Sequence, residues 1–201
     1  MRFLAGCFEP CVRSGARESL VSAEPSYTST VPPQPPALLR KLTMVRPREP
    51  DPTGRRSVSV SRRIPAPAAA IFAILCDPRR HVELDGSGDI VTLLPDAPSR
   101  LGLGVQFAMQ MHHGFPYRVR NTVVEFEEGR RIAWSHAGGH RWRYVLEPQP
   151  DGQTLVTETF DWSTAKLPAA IERMGIPERN LPGMRATLEH LERLVSAAGK
   201  G

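Results

Sequence analysis

Cysteine is scarce in this chain, three in 201 residues, too few for the disulfide framework that staples small secreted domains. Cys7 and Cys11 stand in a C-x3-C spacing with no second pair, which argues against a zinc site there. No apolar run reaches about 18 residues, so no segment reads as a transmembrane helix. The G-x-S-x-G motif of a serine nucleophile is missing. Gly102-Leu103-Gly104 lacks the third glycine of a dinucleotide loop and runs into a strand pattern. What is present is an ordinary globular composition, 40% hydrophobic and 23% charged. The net charge of +5 is uneven. Residues 1–56 hold nine Lys/Arg and five Asp/Glu, a net of +4, and the rest of the chain is nearly balanced. A basic surplus placed this way gives little support to a nucleic-acid partner.

Residues 1–55 read as a disordered, proline-rich extension. Nine prolines fall there, including Pro32, Pro33, Pro35 and Pro36, and no helical or strand period persists. Such sequence buries too little apolar surface to offset its ordering entropy. Glu9 and Pro10 interrupt the opening apolar stretch, so it falls short of a cleavable signal. Met44 is an alternative candidate start.

From residue 56 to 199 the chain reads as one α+β domain. Ser57–Ile64 alternates like a half-buried strand. Ile71, Ile74 and Leu75 make the apolar stripe of a short helix over Ala68–Cys76. Asp77-Pro78 caps and restarts it as a second short helix, Arg79–Leu84, before the turn Asp85–Gly88. Six strand patterns follow, centred on Ile90–Leu94, Val105–Met111, Tyr117–Glu127, Arg130–Ala137, Arg141–Glu147 and Thr154–Ser163. Their short connections imply an antiparallel sheet. Ile132, Trp134 and His136 share one face before Gly138-Gly139, and Trp142, Tyr144 and Leu146 share one after it. A two-residue loop would split these sets between opposite faces, so the pattern selects a connection of three or five residues. At the end, Met184, Leu188, Leu191 and Val195 define a terminal helix stopping at Gly199. Gly175, Pro177, Pro182 and Gly183 predict a break before it, and residues 167–183 read as a hinged lid.

This order, with the stretches IPAPAAAIFAIL, DPRRHVELDGSG, FDWS and GMRATLEHLERL, resembles the helix-grip fold of the START-like (SRPBCC) superfamily. The branch it looks most like is the bacterial polyketide cyclase/dehydrase and lipid-transport type. The resemblance spans about residues 57–198. It implies a curved antiparallel sheet of about seven strands around a long C-terminal helix, with two short helices after strand 1. It also implies a cavity between sheet and helix. Strand parity then assigns Phe107, Met109, Met111, Tyr117, Trp134, Trp142, Tyr144 and Trp162 to that cavity. The helical stripes add Leu167, Ile171, Met174, Met184 and Leu188. Tryptophan and methionine in one space suit a flat or flexible apolar ligand.

The expected function is binding or carriage of a small hydrophobic or amphipathic molecule, lipid or polyketide-like. One alternative is a cyclase/dehydrase-type enzyme with a single acid–base residue, His136, His113 or Tyr144. A second is a regulatory interaction protein. No cofactor and no metal is expected. His112-His113 point to opposite faces of a strand, and no Cys or nearby carboxylate joins His136 and His140. Asp161, between Phe160 and Trp162, is expected in solvent, as are Arg141 and Arg143. No nucleic-acid or integral-membrane partner is expected, and the expected location is the cytoplasm.

Overall fold

The computed structural model describes residues 56–199. The expected disorder of residues 1–55, the Cys7/Cys11 pair and the Met44 start lie outside the described residues. Seven antiparallel strands form one sheet in the order β1-β7-β6-β5-β4-β3-β2. They are β1 Ser57–Ile64, β2 Ile90–Leu93, β3 Gln106–His112, β4 Pro116–Glu127, β5 Arg131–His136, β6 Arg141–Pro148 and β7 Thr154–Asp161. The helices are α1 Ala68–Cys76, α2 His81–Leu84, α3 Pro168–Arg173 and α4 Ile176–Ala198. This is the helix-grip arrangement, with the sheet curved about α4.

Alternation decides which side chains face α4. Across β6 and β7, Trp142 pairs with Phe160, Tyr144 with Glu158 and Leu146 with Val156, all on the inner face. Trp134 pairs with Trp142, leaving residues 136–140 between the last registered pair, so the five-residue connection is the one used. The inner face and helices α1 and α4 enclose a core that includes Ile64, Ile71, Phe72, Leu75, Ile132 and Leu191. Cys76 is a free buried thiol, and burial pushes its pKa up to about 11, so it is inert at neutral pH.

Two local details differ from the sequence expectation. Pro78–Arg80 is a 3-10 turn with the Asp77 carboxylate accepting from the Arg79 N–H, and α2 begins only at His81. The helix break is at Gly175 alone. Its φ of +62° is left-handed and cheap only for glycine. Pro177 sits in the first turn of α4, where its missing N–H costs nothing. Pro182 lies inside α4 without ending it; its ring is exposed, so one lost backbone bond is outweighed by the packing of the helix on either side. The turn after α2 approaches α4 at Gly86, where a Cβ would lie 2.3 Å from the Gly183 carbonyl oxygen and from the Thr187 nitrogen. Only glycine permits this contact, which the Gly86 N–H to Thr187 Oγ1 bond (3.0 Å) fixes.

Candidate functional site

Rings line much of the inner face. Trp134 stacks on Tyr144 with centroids 5.4 Å apart, and Phe107 and His81 flank Trp134 at 5.9 and 4.9 Å. Farther along, Trp142, Phe160 and Trp162 run in series at 4.9 and 5.6 Å. His81 is buried, with its Nε2–H directed at the Leu75 carbonyl (3.0 Å), and burial holds its pKa below the ordinary value. It is therefore a neutral ring filling the core.

Within this apolar wall lies one carboxyl group. Glu158 is 2% exposed, and the Tyr144 hydroxyl donates to its Oε1 at 3.0 Å. Burial pushes the Glu158 pKa up to about 8; the Tyr144 bond works against the rise and the Asp85 charge adds to it. The carboxyl is therefore largely protonated at pH 7. Burial and the Glu158 charge both push Tyr144 well above its ordinary value.

At the end of the sheet, His136 and His140 meet with Nε2 atoms 2.7 Å apart. The Gly138 N–H donates to His136 Nδ1, so neutral His136 carries its proton on Nε2 and donates it to His140. Burial, helped by His136, lowers the His140 pKa to about 3. No group of three or more metal-ligating side chains occurs among the described residues.

The outer face carries an ion network. Glu125 accepts from Arg141 at 2.9 Å and from Arg143 at 2.8 Å, and Arg143 also reaches Asp161 at 3.0 Å. Burial acts to raise the Glu125 pKa, but the two arginines outweigh it and hold it low. Asp161 also accepts from the Ser163 N–H and hydroxyl. Arg141 and Asp161 are buried, contrary to the expectation that this strand face is solvated. The cause is the segment after β7, which folds back so that Thr164 donates to the Gly139 carbonyl at 2.6 Å. A depression of about 420 Å³ adjoins the network, with Arg120, Thr122, Ser135 and Thr164 in its lining.

The register puts Phe107, Met109, Met111, Tyr117, Trp134, Trp142 and Tyr144 on the inner face. Trp162, Met184 and Leu188 are buried, and Ile171 packs partly covered beside Trp162. Leu167 and Met174 are corrections, being 71% and 63% exposed. Their stripe needs one helix through residues 167–174, but α3 runs only from Pro168 to Arg173, so these two residues cap its ends. His113 is exposed and paired with Asp89 at 3.2 Å, so it is not an interior acid–base group. Among the three acid–base candidates, Tyr144 alone is fully inside beside a polar partner. Sequence reasoning missed Glu158, His81 and the buried ion network. Glu158 had a signal: it breaks the apolar parity of Val156 and Phe160 on a strand paired on both sides.

Comparison with known proteins agrees with this architecture. A family model described as polyketide cyclase / dehydrase and lipid transport matches residues 55–196. The uncharacterized protein Rv0088 of Mycobacterium tuberculosis is 40% identical over 146 residues, covering 69% of this chain. That match spans only 63% of the relative's own length. Protein NE0264 from Nitrosomonas europaea has a similar fold, with a TM-score of 0.56 at 18% identity over 72% of this chain and 97% of that one. An AHSA1-like protein from Aeromonas hydrophila gives 0.50 at 23% identity, over 71% of this chain and 94% of its own. With its helix-grip sheet and a family match over most of its length, the chain belongs to the polyketide cyclase/dehydrase and lipid transport family of the START-like (SRPBCC) superfamily.

Proposed function

We propose that the protein binds a small hydrophobic or amphipathic molecule, lipid or polyketide-like, between its sheet and the start of α4. One observation carries this reading. Phe160, Trp162 and Met184 form a buried apolar cluster whose neighbours Val58, Val60, Trp142, Ile171, Ile176 and Leu181 are only partly covered. The cover over this cluster is α3, six residues with none fully buried, and the first turns of α4. Apolar surface held under so light a cover is a site that an apolar molecule can enter and complete. The test is native mass spectrometry of the full chain after expression, followed by solvent extraction. A bound apolar molecule of defined mass is expected. A uniform ligand-free mass, with no change in tryptophan fluorescence on adding apolar probes, overturns the reading.

A cyclase/dehydrase-type activity is the second reading, favoured by Tyr144 and Glu158. A carboxyl with a pKa of about 8 can both give and take a proton near neutral pH. Loss of turnover in Glu158→Gln, with ligand binding intact, would establish it.

A further inference from the structure

Two buried side-chain atoms lack a hydrogen-bond partner among the described residues, Arg80 Nε and Glu158 Oε2. Leaving a buried polar atom unpaired is costly, so such an atom needs a reason. The Arg80 side chain is 37% exposed, with its Nη2 3.3 Å from Glu83 at the surface, so its guanidinium has an outlet to water. Glu158 has none. It lies mid-strand on the central part of β7, facing the helix side, with Val60 opposite it on β1 and Tyr144 opposite it on β6.

We propose that Glu158 is the polar anchor of the ligand site and selects uncharged ligands whose apolar body carries a carbonyl or hydroxyl oxygen. This rests on the binding reading above. The chemistry follows from the inventory of donors. Oε1 already accepts the Tyr144 proton, so the carboxyl proton resides on Oε2 and is free to be donated. A ketone, ester or hydroxyl oxygen accepts it. A ligand carboxylate meets a worse environment. The titratable groups acting on Glu158 are Tyr144 on β6 and Asp85 after α2; the nearest cation along β1 is Arg62, which pairs with Val156. Arg62 is already engaged by Glu189 and Glu192 of α4. Among the described residues on these elements, no uncommitted cation therefore balances a second buried anion.

The oxygen types separate on raising the pH. When Glu158 ionises, Oε2 can only accept. A ketone, which cannot donate, loses its bond, whereas an alcohol turns round and donates. Three probes of equal chain length test this on the full chain by tryptophan fluorescence: methyl decyl ketone, dodecanol and dodecanoate. At about pH 7 the ketone and the alcohol should bind about tenfold or more tighter than dodecanoate, the factor one hydrogen bond supplies. Between about pH 7 and about pH 9 the ketone should weaken about tenfold and the alcohol less. Glu158→Gln keeps a donor of nearly the same shape, so it should hold the ketone without the pH effect. Circular dichroism checks that this variant folds, and the pH series on the unaltered protein does not depend on it. Equal, pH-independent binding of all three probes would sink the anchor and leave the hydrophobic site standing. Binding of none would overturn both.

Discussion

The two ends of α4 rest on apolar clusters of similar chemistry and unequal closure. Under its C-terminal half, Leu191 is fully buried against a core that holds Ile64, Phe72 and Leu75, each at most 1% exposed. Under its first turns, Trp162 and Met184 are buried but most of their neighbours are half-covered. The difference lies in what closes each end. The first end has α1, whose residues Ile71, Phe72, Ile74, Leu75 and Cys76 are all buried. The second has α3, which rests on the partly covered Ile171 and on a bond from Trp162 Nε1 to Glu172 at 3.0 Å. One helix therefore serves as a fixed wall at one end and a light cover at the other.

The largest expected contrast is in hydrogen exchange. Amides of residues 186–195 should open only with the whole domain. Those of residues 168–174 should open locally and exchange about a thousandfold faster or more. Equal protection of the two segments would show that α3 is part of the rigid wall. An apolar ligand should slow exchange in residues 168–174 selectively.

Stability should show the same asymmetry. Phe72→Ala empties a fully packed site and should cost about 3–5 kcal/mol in chemical denaturation. Met174→Ala removes an exposed side chain and should stay within about 0.5 kcal/mol. A large loss from Met174→Ala would mean the α3 end is more tightly held than its exposure shows. Asp161→Ala lies between them, at about 1–3 kcal/mol. It removes the acceptor of Arg143 and Ser163, but Glu125 still holds Arg143.

The last expected effect is on the pH dependence of melting. The folded pKa of Glu158 is about 8, above its ordinary 4.5, so the folded state keeps a proton that the unfolded chain releases. Its contribution is full below about 4.5 and is lost as pH rises through about 8. His140 has the opposite sign. Its folded pKa of about 3 is below the ordinary 6.5, so its contribution is present above 6.5 and lost as pH falls toward 3. Glu158→Gln should therefore flatten the alkaline side of a melting-temperature profile and leave the acid side unchanged. A profile unchanged on both sides would show that Glu158 is not protonated in the folded protein.

Most of the fold was legible because it follows from periodicity. Alternation located the strands, the Trp134 and Trp142 parities selected the odd turn, and the stripe through Leu188, Leu191 and Val195 gave the terminal helix. The candidate site was legible in part. Parity placed Trp134, Trp142 and Tyr144 on one face, because a strand fixes the side of every second residue whatever packs on it. It misjudged Leu167 and Met174, because a stripe of three gives no sign of where a six-residue helix starts and stops.

What the sequence determined by itself was therefore local: element types, the register across the glycine turn, and the apolar face of each strand. The tertiary structure alone decided the environments of the charged groups. Glu158 is a titratable group near neutrality because Tyr144, Val60 and α4 come from separate parts of the chain to remove its water. Asp161 and Arg141 are buried because Thr164 folds back over Gly139. Desolvation and pairing depend on which distant residues arrive at a site, and no spacing along the chain encodes that arrival.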